Sequence, residues 1–173
     1  MIPIPMQNTN KTYLRCLLFT FLVMAGMIFT GKKAAPLDDN FIYKLELAET
    51  PAIVIQLIAP ENSIDLGWLK INTLIDYLFL VAYSSVFFFS TKWLLENFNF
   101  SGRLLLLPFI WFLPAIFDAI ENLYILSFCG GDFRESSFSI YYTVVRIKWA
   151  MVPFGIISGF SPLFIKAYAY LRK

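Results

Sequence analysis

The sequence predicts an all-α fold, an integral membrane four-helix bundle with a short amphipathic helix in its first outer loop. Of the 173 residues, 58% are hydrophobic and 15% are charged, whereas about a quarter of a soluble domain is charged. Four apolar runs also approach or exceed the roughly 20 residues that a helix needs to cross a bilayer. We therefore predict a single domain, residues 1–173, with spans at about 13–30, 66–89, 104–128 and 139–171.

The first span follows a polar N-terminus that carries Lys11 and then Arg15. A basic start followed by an apolar run is also typical of a signal peptide. The run from Tyr13 to Thr30 is longer than the 7–15 residues of a signal peptide core, however, and no A-x-A cleavage site follows it. We therefore expect a helix that is retained.

Residues 31–65 form the longest polar segment, and it contains the predicted short helix. Thr50 is a typical N-cap, and Pro51 suits the first position of a helix. An apolar stripe follows, and Pro60 ends it; the stripe consists of Ile53, Val54, Leu57 and Ile58. A helix of this kind lies in the membrane interface or packs on the bundle. We expect it to roof a pocket on the outer side.

The later spans contain residues that are unusual inside a membrane. In the second span Asn72, Asp76 and Tyr83 fall on one side of a helix. In the third, Pro114 is expected to kink the helix one turn before Asp118. The fourth contains the pattern Gly155-x-x-x-Gly159, which permits a close approach of two helices.

The distribution of Lys and Arg predicts that both termini are cytoplasmic. With that orientation the inner segments hold seven basic residues: Lys11, Arg15, Lys92, Arg103, Lys166, Arg172 and Lys173. The outer loops hold five: Lys32, Lys33, Lys44, Lys70 and Arg134. Apart from Glu96, the acidic loop residues also fall outside under this orientation.

A polar cluster is predicted where three spans reach similar depth. Asp118, Glu121 and Asn122 stand at i, i+3 and i+4, so they share one helix face. At about 1.5 Å per residue, Asp118 lies about 22 Å from the inner end of its span, in the outer third of the bilayer. The same depth is expected of polar residues in the other spans. The predicted cluster is Asp76, Tyr83, Asp118, Glu121, Asn122, Arg146 and Lys148.

The two bases of this cluster cannot both face the bundle interior, because residues two apart on a helix point about 200° away from each other. Lys148 shares its face with Gly155 and Gly159 and is expected to point inward. Arg146 is expected either to point toward the outer headgroups or to turn inward and balance the charge of the three acids.

Four interpretations of the cluster remain open. It can be an ion-paired network that only holds the helices together. It can bind the polar headgroup of a lipid or other amphiphile, or a partner membrane subunit. It can be a carboxylate pair of a membrane enzyme that acts on lipid or lipoprotein. Ion movement is the weakest interpretation, because the inner halves of the spans lack a polar relay.

The chain contains no histidine, the commonest metal ligand and general base, so we expect no metal and no cofactor. The net charge of +2 gives no reason to expect nucleic acid binding. Membrane lipids are the expected partners, and association with a second copy or another membrane protein stays open. The expected activity is non-catalytic, with the enzyme as the alternative.

Three segments resemble a group of small bacterial four-span membrane proteins. The segments are Lys44–Pro51, Leu74–Tyr83 and Asp118–Asn122, and the group carries xELAxTPE, LDxLFxxAY and DAxEN in this order. Lys148 matches a lysine in the last span of that group, whereas Ala52 replaces an acid. The resemblance covers about residues 41–148 and implies a bacterial inner membrane protein, but no activity.

Lipoprotein signal peptidases share a similar outline, with four spans and a carboxylate dyad near the outer face. Their Asn-Leu-x-Asp-Arg-like and Phe-Asn-x-Ala-Asp-like motifs are absent from this sequence. Likeness of outline alone carries no function.

Overall fold

The computed structural model of the chain describes residues 6–36, 38, 40–59, 64–131 and 135–172. Within these residues the regular structure is entirely helical. Six α-helices are joined by two 3-10 helices, Gly102–Trp111 and Glu135–Ser137. The α-helices are α1 (Met6–Ala34), α2 (Phe41–Glu46), α3 (Pro51–Leu57), α4 (Leu66–Asn97), α5 (Phe112–Cys129) and α6 (Phe138–Leu171).

Four helical segments are long and apolar enough to cross a membrane, as the sequence predicted. They are Thr9–Ala34, Leu66–Asn97, Gly102–Cys129 and Phe138–Leu171. The first is longer than the predicted 13–30 because Lys32 and Lys33 belong to the last turn of α1. Their positive charges are favourable there, since the carboxyl end of a helix carries partial negative charge.

α4 continues eight residues beyond the predicted end at Phe89, so the predicted loop from Ser90 to Arg103 is wrong in its first half. The extension is held by packing, because Trp93 and Leu95 are buried. An ion pair of 3.9 Å between Lys92 Nζ and Glu96 Oε1 joins successive turns. The chain leaves the helix just before Asn99, which has a left-handed φ of 56°.

The third span changes helix type along its length. Gly102–Trp111 is a 3-10 helix that contains Pro108, and α5 continues directly from Phe112. Proline removes a backbone N–H donor and clashes with the preceding turn of a regular α-helix. The change of helix type ends just before Pro114, which is buried in the first turn of α5. The predicted kink at Pro114 stays a prediction.

The first loop contains two short helices, of which the sequence predicted one. The predicted cap of α3 is confirmed, because Thr50 Oγ1 accepts a hydrogen bond of 3.4 Å from the Ile53 N–H and Pro51 is the first helical residue. Val54 of α3 is fully buried beside Leu45 of α2. Both short helices thus pack onto the same end of the bundle.

α4 is the central helix and packs against α1, α5 and α6. Against α6 it is very close, because Phe87 lies over Gly155 and Gly159. A Cβ atom on Gly159 would lie 3.0 Å from Phe87 Cδ1. The predicted role of this glycine pair in close helix approach is therefore confirmed. It brings the polar residues of α4 and α6 within reach of one another.

Candidate functional site: a lysine surrounded by carboxylates

Lys148 lies at the centre of the polar cluster, and it is only 4% exposed. Its Nζ atom is 2.6 Å from Glu121 Oε2, 3.1 Å from Asp118 Oδ1 and 3.3 Å from Glu46 Oε2. The ammonium group donates hydrogen bonds to Asp118 and Glu46, and its contact with Glu121 is an ion pair. The predicted inward direction of Lys148 is confirmed.

Hydrogen bonds between α4 and α5 complete the cluster. Tyr83 Oη donates to Asp118 Oδ2 at 3.2 Å, and Asn122 Nδ2 donates to Asp76 Oδ2 at 2.7 Å. Asp118, Glu121 and Asn122 are all buried on one face of α5, as their spacing predicted. The structure thus brings together six of the seven predicted residues.

Arg146, the seventh, lies outside the cluster. Its Nη2 atom is 2.8 Å from Glu49 Oε1, and both side chains are largely exposed, at 47% and 67%. The guanidinium also lies over the ring of Tyr142. The expectation that Arg146 points away from the interior is confirmed, and the idea that it turns inward to balance the acids is wrong.

Glu46 belongs to the cluster although the sequence analysis missed it. Besides the contact with Lys148, its Oε2 atom accepts a hydrogen bond of 3.1 Å from Trp149 Nε1. Burial raises the pKa of the Glu46 carboxyl above its ordinary value, although the positive charge of Lys148 opposes the change. One signal was present in the sequence, because Glu46 is the acid of the Glu-Leu-Ala motif in the first resembling segment.

The predicted cluster had three acids and two bases, and the structure changes both numbers. Four carboxyl groups surround a single ammonium group within the described residues: Glu46, Asp76, Asp118 and Glu121. Glu121 is 1% exposed, and neither of its oxygens has a well-aligned hydrogen bond from those residues. Such a burial is unfavourable, so the cluster is not optimised for stability alone.

A cavity of about 500 Å³ lies beside the cluster. Its floor is polar and its walls are apolar. The floor consists of Asn72, Asp76, Tyr83, Asp118, Lys148 and Glu46. The walls come from three long helices and include Met24, Met27, Ile28, Phe79, Phe87, Val152 and Ile156.

The cavity is roofed by α2, through Phe41, Ile42 and Tyr43. The prediction that residues 50–59 form the roof is wrong. α3 instead turns its one buried residue, Val54, into the apolar cluster that contains Leu45. α2 is fixed to α6 by Glu46 and by a hydrogen bond of 2.8 Å from Tyr141 Oη to the Leu45 carbonyl.

Residues of α1 and α6 that line the cavity are exposed, so we infer that the cavity opens sideways between these two helices. These two helices are in contact farther from the cluster, where Tyr13 Oη donates a hydrogen bond of 2.7 Å to the Gly159 carbonyl. Beside the cluster both helices line the cavity, and the wall residues Met24, Ile28 and Ile156 are exposed. In a bilayer this opening would face the acyl chains.

The half of the bundle away from the cluster contains more polar contacts than the sequence predicted. Thr91 Oγ1 and Ser158 Oγ are 2.7 Å apart, and Trp111 Nε1 donates to Thr91 Oγ1 at 2.7 Å. These hydroxyl groups join α4, α6 and the 3-10 helix. They are packing contacts between helices, because each satisfies a neighbour across the interface.

Among the described residues no group of His, Cys, Asp or Glu has the arrangement of a metal site. No protein-family model, curated protein or solved structure matches this chain. The functional argument therefore rests on the geometry of the cluster and the cavity.

Proposed function

We propose that this chain is a four-span membrane protein that binds a single amphiphilic molecule in the outer half of its bundle. The observation that supports the proposal is the division of the cavity into a charged floor and apolar walls, which include exposed residues of α1 and α6. Such a division matches a molecule with one polar end and one hydrocarbon chain. A volume of about 500 Å³ is also within the range of small-molecule sites, roughly 300–1,000 Å³.

The floor would hold the headgroup and the side opening would hold the chain. Asp76, Asp118 and Glu46 supply hydrogen-bond acceptors to the cavity, and Tyr83 and Asn72 supply polar groups on the same wall. A chain that leaves between Ile28 and Ile156 would remain among lipid tails. Binding would then bury the headgroup without removing the chain from an apolar environment.

A membrane enzyme is the second candidate. Asp118 contacts the ammonium group of Lys148, whereas the one partner of Asp76 among the described residues is the neutral amide of Asn122. Both carboxyl groups line the same cavity. Two carboxyl groups in different electrostatic surroundings are the usual basis of acid and base roles in one site.

In the first prediction, blocking the cavity should abolish amphiphile binding. Val152→Trp places an indole in the apolar wall, whereas Ile157→Trp adds the same group to an exposed position of α6 outside the cavity. Native mass spectrometry after incubation with dodecanol and with lysophosphatidylethanolamine would count bound molecules. We expect one bound copy of at least one of these amphiphiles for the wild type and for Ile157→Trp, and none for Val152→Trp.

Three other results would contradict the proposal or favour an alternative. Equal binding by Val152→Trp and the wild type would contradict the proposed cavity. A bound lysophospholipid that is recovered cleaved would favour the membrane enzyme. An absence of bound amphiphile, together with a second protein chain in the same spectra, would favour the alternative in which this surface receives a partner subunit.

The second prediction concerns orientation, which we propose to be that of a bacterial inner membrane protein with cytoplasmic termini. Asn40 and Asn97 are both exposed, and they follow α1 and end α4. In a background with Cys16 and Cys129 replaced by alanine, Asn40→Cys should react with an impermeant maleimide in intact cells. Asn97→Cys should react only after permeabilisation. If Asn97→Cys alone were labelled in intact cells, the orientation would be the reverse of the proposed one.

A further inference from the structure

The charges around the cavity identify the chemical class of its ligand. Lys148 is the one buried cation of the described floor. It donates hydrogen bonds to Glu46 and Asp118 and forms an ion pair with Glu121. Asp76 is a fourth carboxyl group, 9% exposed, and lines the cavity. Its one described partner is the neutral amide of Asn122, at 2.7 Å. The floor therefore has more carboxyl groups and hydrogen-bond acceptors than its one buried cation can pair with.

Two further charged residues of the described part of the chain line the cavity, one of each sign. Lys32 lines the rim on the last turn of α1, and its side chain is exposed. Asp38 also lines the rim, and its Oδ2 atom lies 2.7 Å from Lys44 Nζ. The positive charge of Arg146 is taken up at the surface by Glu49. No second base of the described residues approaches Asp76.

Aromatic rings also line the cavity. On α4, Phe79, Tyr83 and Phe87 form a ladder with centroid separations of 5.3 Å and 5.4 Å. Across the cavity, Trp149 packs against Tyr43 with a centroid separation of 6.2 Å. The Trp149 ring already accepts the Lys148 ammonium over its face at 5.3 Å. Aromatic faces beside a carboxylate are the usual surroundings of an organic ammonium ion.

We infer that the headgroup bound in this cavity is an ammonium group, with Asp76 as its counter-charge and the rings of Phe79 and Tyr83 beside it. The inference rests on the proposed amphiphile site and specifies its ligand. An incoming ammonium supplies the positive charge and the N–H donors that the floor lacks. A carboxylate or a phosphate headgroup would instead approach Asp76, Asp118 and Glu46 with like charge.

The polar neighbours of Asp76 on α4 bind residues of other helices, which leaves Asp76 available to bind a ligand. Asn72, one turn earlier, uses its amide to tie α4 to α1, donating 2.7 Å hydrogen bonds to the Met27 carbonyl and to Thr30 Oγ1. Tyr83, two turns later, is bound to Asp118. Asp76 lies between them on the same face, and it is the acid of the cluster without an ion pair among the described residues.

Three amphiphiles of equal chain length test the inference: dodecylamine, dodecanol and dodecanoic acid. We expect the wild type to bind the amine at least tenfold more tightly than the alcohol, and the acid most weakly. Asp76→Asn should weaken amine binding roughly ten- to a hundredfold, the usual worth of a hydrogen bond to a charged group, and leave the alcohol unchanged. Asparagine keeps an oxygen that can accept from Asn122, so this variant should fold.

Glu96→Gln is the matched control, because it neutralises a second acid of α4, which is half-buried at the opposite end of the helix, outside the cavity. It should bind all three amphiphiles as the wild type does. Equal affinity for amine and alcohol, or no effect of Asp76→Asn on the amine, would overturn the ammonium inference and leave the cavity proposal standing. Preference for the acid would also overturn it. Failure of all three to bind, with Val152→Trp unchanged from the wild type, would reject the cavity itself.

Discussion

Replacing Lys148 with methionine should destabilise the protein by about 3–5 kcal/mol, the range for breaking a buried ion pair by removing one partner. The Nζ atom of Lys148 is within 3.3 Å of three carboxylates. Without the ammonium group, Asp118, Glu121 and Glu46 would be left together in a buried site with like charges and unfilled acceptors. The expected result is a large loss of folded protein, or a fold that survives only when the carboxyl groups take up protons.

Arg146→Met is the matched control for this change. It removes a base two residues away on α6 whose ion pair with Glu49 is exposed, and such pairs are worth about 0–1 kcal/mol. Unfolding curves in mixed detergent micelles would compare the two variants with the wild type. If Lys148→Met loses no more stability than Arg146→Met, Lys148 does not hold the cluster together.

The neighbouring acid provides a second check. The double variant Asp118→Asn with Lys148→Met should be less destabilised than the sum of the two single changes, because neutralising Asp118 removes one of the stranded charges. Residues in contact generally show such non-additivity, and distant ones do not. Simple additivity would mean that Asp118 and Lys148 act independently, despite the 3.1 Å between them.

The features that could be predicted from the sequence follow from local geometry. Apolar run length indicates four spans, because the thickness of a bilayer fixes the length of the helix that crosses it. The spacing of Asp118, Glu121 and Asn122 places them on one face. The offset of two residues separates an inward Lys148 from an outward Arg146. Each of these conclusions requires only the pitch of a helix.

Features that depend on the position of the first loop could not be predicted in this way. Glu46 reaches Lys148 because α2 folds back over the bundle, 102 residues away along the chain. A contact between residues so far apart in the chain leaves no periodic pattern in the sequence. The apolar stripe of α3 is easier to recognise in the sequence than α2 is. The roof of the cavity was therefore predicted to be α3, whereas it is α2. The predicted number of acids in the cluster was also too low, because it left out Glu46.

The second large effect is expected at the contact between α4 and α6. A Cβ atom added to Gly155 would overlap the ring of Phe87. A Cβ atom added to Gly159 would lie only 3.0 Å from Cδ1 of the same ring. Phe87 is 7% exposed and is held between Tyr83 and Trp111, with ring centroids 5.4 Å and 5.5 Å away. The ring therefore cannot move aside freely, and Gly155→Ala should destabilise the protein by about 1–3 kcal/mol through overpacking.

Gly26→Ala provides the contrast, because a Cβ atom there would have its nearest neighbour, Ile75 Cγ2, at an ordinary 4.0 Å. In the middle of α1 this change should be neutral or slightly stabilising, since alanine is the better helix former. Gly159→Ala should fall between the two. Unfolding curves under the same conditions would rank the three variants, and an equal effect at positions 26 and 155 would refute the steric explanation.

The same contact connects stability to the proposed ligand site, because Phe87 also lines the cavity. A ring displaced by Gly155→Ala would move relative to Tyr83 and change the wall that faces the amphiphile. Combining Gly155→Ala with Phe87→Leu should restore part of the lost stability, since leucine frees space at the crossing. It should not restore full amine binding, because the aromatic face at that wall is gone. Recovery of both properties together would mean that the ring of Phe87 serves only the packing of α4 on α6.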